Sequence, residues 1–398
     1  MNKEFILFTS TNFPSGGPAA AYLNLFCKGV KNNNGAIRVY LSKGYIYKGH
    51  KHNEQRKNTT DYGVKYSHLG FANRPKSIIL KVTEDMLSIL VSFGVMLKLI
   101  FKRKKIIIFM YSEEVFTNIP VYFFSKLFHI EIISFVPEAC DNSTEINRDI
   151  FKRIKQYSLF LNYNILNKLT DKLIVFSSFL KNEYISMGYD EKNIIIQPNL
   201  TDLNGWYIPN QRIQYTIGYA GTPSKKDGIF DLISSIKILK DRGTVINAII
   251  IGDSPGNESY LPELRGHCRK LGISDQIIFK GLVPQEQVKE YLNECQILAV
   301  TRPNTKQTQA GFPTKLGEYM ACRKVVLATK FGDIEQYFSD RTDIILAEPE
   351  NPVSIAENIL WILNNSEKSK TIAKNGFNKA NQLLNYNTGV KKITEFIN

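Results

Sequence analysis

The 398-residue chain is predicted to be an α/β protein of two domains, each built on a parallel β-sheet covered by helices. Three observations lead there. Short β-branched runs alternate with helix-period segments along most of the sequence. A glycine turn follows the first strand of each half. The alternation breaks once, over residues 198–212, where two prolines, three asparagines and a glycine leave no periodicity and read as a linker.

The first half opens with a strand at 4–9, then Ser15-Gly16-Gly17-Pro18, then a helix from Ala19. Further strands are expected at 105–111, 131–136, 172–176 and 193–197. The second half has strands at 215–220, 245–252, 276–280, 297–300, 325–328 and 343–346. Helices are expected at 229–242, 260–271, 285–294, 314–322 and 352–365. This sets the domains at 1–205 and 206–385. Two such halves leave a cleft between them, and open α/β sheets bind ligands beyond the carboxyl ends of their strands.

With 43% hydrophobic and 22% charged residues, the composition excludes a disordered chain. Cys27, Cys140, Cys268, Cys295 and Cys322 are dispersed without a CxxC pair, which argues against a disulfide framework or zinc site and fits a reducing compartment. The opening MNKEFILFTSTNF is too briefly apolar for a secretion signal. The apolar run 86–101, interrupted by Lys98, is too short to span a bilayer. Residues 1–205 carry 27 Lys and Arg against 17 Asp and Glu, most of the net +14. Such a basic half suits an anionic partner, such as a membrane surface, a phosphorylated lipid or nucleic acid. The segment 86–105, an apolar helix ending in Lys102-Arg103-Lys104-Lys105, reads either as a lipid-docking element or as the cover of a sheet.

Several residue groups can carry chemistry. Gly16-Gly17, before a helix start, lets backbone approach a diphosphate, or is an ordinary tight turn. The turn Gly221-Thr222-Pro223-Ser224-Lys225-Lys226-Asp227-Gly228 adds two cations to such a turn, or is a solvated loop. In 302–329, Pro313 suits the first turn of a helix, which would expose the amides of Thr314, Lys315 and Leu316 at its positive end. Glu318, a turn later, can accept two ribose hydroxyls, or it offsets the helix dipole. Glu138, at a strand end, can act as base or bind a sugar hydroxyl, or it caps the next helix. No DxD, GxxxxGK[ST], GxSxG or HExxH occurs, and His50 and His52 lack a third ligand nearby.

These segments resemble glycosyltransferase family 4, the large retaining group with the GT-B fold. The resemblance is carried by YTIGYAG (215–221), KKDGIFDLI (225–233), IIFKGLVPQEQVKEYL (277–292), FPTKLGEYMACRKVVLAT (312–329) and GDIEQYF (332–338). Weaker matches are the Gly16-Gly17 turn, DKLIVFSSFLKNEYISMG (171–188) and IIIQPNLTD (194–202). The most specific piece is PTKLGEYMA.

The resemblance implies two Rossmann-like domains facing across a cleft, the first for the acceptor and the second for a nucleotide sugar. The base would lie against Lys280-Gly281-Leu282-Val283 and the ribose on Glu318. Lys226, with Lys225 and the backbone at Lys315-Leu316, would hold the diphosphate, approached also by Gly17. The last helix, with residues 386–398, would cross back to the first domain. The implied reaction is retaining transfer, without metal or cofactor, from a UDP- or GDP-sugar to a glycan or polyprenyl-diphosphate-linked glycan. By analogy it serves bacterial capsule, O-antigen or exopolysaccharide synthesis in the cytoplasm, at the inner face of the membrane. Lys226, Arg302 and the 314–316 amides would stabilise the leaving diphosphate, and Glu138 would orient the acceptor or sugar.

Four positions depart from the family pattern. Ala310 stands where many members have a glutamate, Thr222 where many have an arginine, and Asp227-Gly228 where Lys-Gly is usual. No histidine stands near the end of the strand that leads to Pro137-Glu138, where some members use one. Arg302 then supplies the missing positive charge. Two rivals share the fold: a nucleotide-sugar epimerase, and an inactive nucleotide-sugar-binding protein. Nucleic-acid binding is disfavoured, because the lysines are not interleaved with aromatics in a recognised motif.

Overall fold

The structure, a computed structural model, describes residues 3–45, 58–101, 105–112, 114–140, 150–254 and 259–397. His50, His52 and Lys102–Lys104 lie outside these. The chain forms two compact units, Met1–Leu200 with Tyr386–Asn398, and Thr201–Asn385.

The first unit contains, in order, β1 (Glu4–Thr9), α1 (Pro18–Asn32), β2 (Ala36–Leu41), β3 (Lys65–His68), α2 (Ile78–Ile100), β4 (Ile106–Tyr111), α3 (Val115–Leu127), β5 (Glu131–Val136), α4 (Ile150–Asn164), β6 (Lys172–Val175), α5 (Ser178–Ser186) and β7 (Ile194–Ile196). Its seven strands form a parallel sheet in the order β3-β2-β1-β4-β5-β6-β7. The central β4, IIIFMY, is buried at every position, as a strand covered on both faces must be.

The second unit contains β8 (Tyr215–Ala220), α6 (Ile229–Asp241), β9 (Ala248–Ile251), α7 (Leu261–Leu271), β10 (Ile277–Gly281), α8 (Gln285–Asn293), β11 (Cys295–Val300), α9 (Lys306–Ala310), α10 (Thr314–Ala321), β12 (Val325–Thr329), α11 (Ile334–Tyr337), β13 (Ile345–Ala347), α12 (Pro352–Asn364) and α13 (Ser366–Leu383). Its six parallel strands run β10-β9-β8-β11-β12-β13. Both sheets reverse direction of growth at their first strand, as doubly wound sheets do. α14 (Tyr386–Phe396) then packs on α1 of the first unit. Asn32 Nδ2 donates to Tyr386 Oη at 3.1 Å, and Gly29 leaves room for Val390, which a Cβ would meet at 2.7 Å.

The stretch 198–212 is no free linker. Trp206 is buried, its Nε1 donates to the Asp202 carbonyl at 2.9 Å, and Asn293 of α8 donates to its carbonyl at 2.7 Å. An indole buried with its N–H satisfied anchors a segment that composition alone marks as loose.

The orientation of α2 is inverted. Its buried residues are Glu84, Ser88, Ser92, Met96 and Leu99, at helical spacing on one side. Glu84 accepts from the Gly44 N–H at 2.5 Å and pairs with Arg74 at 2.6 Å, and Ser88 donates to the Ser42 carbonyl at 2.5 Å. Gly44 and Gly70 permit this approach, since a Cβ at either would sit 2.8 Å from Glu84. Met96 and Leu99 join the sheet's apolar core, with Val95 and Ile100 packed against it, so the helix covers the sheet from its C-terminal end.

Candidate active site

Three glycines prepare the carboxyl edge of the second sheet. Gly221 follows β8, Gly252 follows β9, and Gly281 ends β10. These strands are neighbours, and their backbones touch there: Gly221 N–H donates to Ile251 O at 2.9 Å and Gly252 N–H to Gly281 O at 2.7 Å. A Cβ on Gly252 would lie 2.1 Å from the Gly221 oxygen. The edge is therefore bare backbone, which a ligand can approach closely.

The turn after β8 is pinned from below. Gly228 has φ +63°, and a Cβ there would fall 1.6 Å from the Thr301 oxygen. Thr301 Oγ1 in turn donates to the Asp227 and Gly228 carbonyls at 3.2 and 3.1 Å. Gly228→Ala is expected to cost ~3 kcal/mol or more and to abolish nucleotide binding. A urea midpoint equal to wild type would show that the turn has room to move.

That turn directs Asp227, not Lys226, inward. Asp227 is 3% exposed and takes a bond from Ser224 Oγ at 2.7 Å. Lys315 Nζ lies 2.8 Å from its Oδ1 and donates to Tyr219 Oη at 2.9 Å. Arg302 Nε is 3.5 Å from the same Oδ1, buried and without a hydrogen-bond acceptor. The cluster is thus two cations on one carboxylate. Burial alone would raise the Asp227 carboxyl, but the Lys315 ammonium and Arg302 guanidinium outweigh it and hold it below the usual range. Burial, aided by Arg302, lowers Lys315 to about 8, although Asp227 opposes the shift.

α10 carries the rest. Tyr319 locks it to β8, its hydroxyl accepting from Ala220 N–H at 2.6 Å and donating to Ala220 O at 3.1 Å. Pro313 is the N-cap rather than the first helical residue, with extended ψ of 118°. The Leu316 N–H donates to the Pro313 carbonyl at 3.2 Å, so the first turn is tight and this amide is not free, contrary to expectation. The amides of Thr314 and Lys315 remain as the donors of this positive helix end. Glu318 is half-buried, and its side chain makes no hydrogen bond or ion pair among the described residues. Burial pushes its carboxyl up to about 7, with Lys315 and then Lys289 pulling the other way.

The remaining expected residues lie as follows. Lys225, Lys226 and Thr222 are exposed on the turn. Lys280 rests over the Tyr291 ring at 4.8 Å, and Leu282 is 69% exposed beside Gly281 and Val283. An apolar side chain held out at a strand end offers a surface for a base. Ala310, where many family members have a glutamate, is fully buried in α9. In the first unit, Gly16 and Gly17 are exposed before α1, and a Cβ on Gly17 would meet nothing within 4 Å. Glu138 is exposed two residues beyond β5.

Sequence reasoning missed Tyr219 and Gly252, and took Asp227 only as a departure. The signal lay in the pairing of KKDG with PTKL: a carboxylate gained at one position and a lysine at another.

The model of the family "Glycosyl transferases group 1" matches residues 209–379. An uncharacterized glycosyltransferase of Methanocaldococcus jannaschii is 28% identical over 239 residues, 59% of this chain and 62% of its own length. Among solved structures, HepE of Anabaena in complex with UDP superposes with a TM-score of 0.72 at 16% identity, covering 99% of each chain. TarM superposes with a TM-score of 0.72 at 12% identity, covering 100% of this chain and 99% of its own. The match to the group 1 model thus spans most of the second unit, and the chain has the GT-B fold.

Proposed function

We propose that the protein is a retaining, metal-independent glycosyltransferase that moves a sugar from a UDP- or GDP-sugar to a glycan or lipid-linked glycan of a bacterial surface polysaccharide. The observation that carries the reading is the buried Lys315–Asp227–Arg302 cluster beside the α10 N-terminus, with Glu318 one turn on. Fixed cations and amides of this kind stabilise a leaving diphosphate without reorganising as its charge develops. In this reading Lys315 and Arg302 face the diphosphate, Lys226 contributes from the rim, and Glu318 holds the ribose. The acceptor hydroxyl attacks on the face the leaving group departs from. Glu138, in the other unit, orients the acceptor. HepE has been crystallised with UDP-glucose, which supports a uridine donor. The TarM of S. aureus has been crystallised with UDP and alpha-GlcNAc-glycerol, which supports a glycan acceptor. The basic first half supports work at a membrane face.

Nucleoside-diphosphate release from a panel of UDP-, GDP- and ADP-sugars, with membrane lipid extract as acceptor, tests this. Release is expected to need acceptor, to persist in EDTA, and to fall by about 10²-fold or more in Glu318→Ala. Binding of nucleotide sugar without release from any donor would leave an inactive binding protein.

A further inference from the structure

α2 does the opposite of what a water-facing helix does. Its polar residues Glu84, Ser88 and Ser92 are fully buried, while Ile79, Met86 and Leu90 are 77, 61 and 66% exposed. Val82, Phe93 and Leu97 extend the same outward side. The inversion is built in, because Glu84 and Ser88 are tied to Gly44, Arg74 and Ser42 and cannot rotate outward without breaking those bonds.

The apolar surface does not end with α2. Its partner α3 exposes Phe116, Ile119, Phe123 and Leu127, and α4 exposes Ile154, Tyr157 and Phe160. Ordinary soluble surfaces scatter such side chains singly; three adjacent helices presenting them together mark an interaction face. No helix among the described residues is long and apolar enough to cross a membrane, so the face suits lying on one.

Charge decides what covers it. Exposed cations flank the apolar side chains: Lys76 before α2, Lys98 near its end, Lys105 after it, and Arg153 and Lys155 on α4. The acids of α2 are spoken for, Glu84 and Asp85 both being paired with Arg74. An apolar face rimmed by free cations matches an anionic leaflet, whose acyl region takes the former and whose headgroups take the latter. A second copy of this face would bring like charges together.

We infer that the outward side of α2, with α3 and α4, is a monotopic docking surface for an anionic lipid leaflet. This rests on the membrane-face part of the proposed function and specifies the surface that meets the lipid.

Sedimentation with vesicles of phosphatidylcholine, with and without phosphatidylglycerol, tests it. The wild-type chain is expected to bind the anionic vesicles preferentially. Met86→Glu/Leu90→Glu, at two exposed positions one turn apart, is expected to reduce binding at least about tenfold. Both proteins should bind UDP-glucose equally and keep the same melting temperature. A wild-type chain that stays in the supernatant overturns the inference, as does a variant that binds as well as wild type. Loss of a dimer in the variant, with no vesicle binding by either protein, would assign the face to a second copy instead. Failure to bind any UDP-, GDP- or ADP-sugar of that panel, with vesicle binding intact, would sink the transferase reading and leave the docking surface standing.

Discussion

Lys315→Met is expected to lower both stability and turnover, and adding Asp227→Asn to restore the first but not the second. In the single variant the buried Asp227 keeps Ser224, the Tyr219 hydroxyl and the Arg302 Nε at 3.5 Å, but loses the ammonium beside it. Removing one partner of a buried ion pair costs about 3–5 kcal/mol, because the other charge is left in low dielectric. Asn in place of Asp227 removes that charge and should recover most of the loss. Turnover is a different matter. If the Lys315 ammonium faces the leaving diphosphate, kcat falls by about 10²–10³ in both variants. Denaturant midpoints and kcat with the donor found above check both halves. A double variant that regains turnover together with stability would make the pair structural. A single variant as stable as wild type would mean that the pair is not sealed from water.

Donor affinity is expected to be flat above pH 7 and to weaken about tenfold per unit below it, down to the pKa of the bound state. The cause is Glu318, whose burial raises it from 4.5 to about 7. In the proposed role only the carboxylate accepts two ribose hydroxyls, so protonation competes with the nucleotide. A nucleotide sugar has no phosphate group titrating in this window, so the slope reports on the protein. Glu318→Gln should bind weakly at every pH and lose the slope. The sign for stability runs the other way. A raised carboxyl pKa contributes stability fully present below 4.5 and lost as pH rises through about 7. At pH 8 Glu318→Gln should therefore be more stable than wild type, as fits a residue kept for binding. Isothermal titration between pH 5.5 and 8 and melting at pH 8 measure the two. A slope that survives in the variant would move the titration elsewhere.

The strand–helix alternation was readable because buried parallel strands are nearly continuous apolar runs, and eleven of them stand out in the sequence. β2 and β3 were not, because Arg38 interrupts one and Lys65, Ser67 and His68 make up most of the other. Pairing with β1 and β2, a non-local interaction, makes them strands. α13 escaped for another reason. Its buried stripe is Ser369, Ile372, Ala373, Gly376 and Ala380, mostly small residues that give little hydrophobic signal. In the site, the place of Glu318 one turn into α10 was readable from Pro313 and the helix that follows it. The inward lysine was not: Lys226 was expected at the diphosphate and Lys315 only by its backbone, whereas the pinning of Gly228 under Thr301 turns Asp227 inward to receive Lys315.

The return of α14 to α1 also dictates when the protein can fold. During synthesis the first two hundred residues emerge together, yet α1 lacks its neighbour until Tyr386–Phe396 leaves the ribosome. The second unit, continuous in the chain, can close first. The nascent first unit waits with Gly29 and Asn32 uncovered, so a message truncated before Tyr386 would damage the domain that was translated earliest.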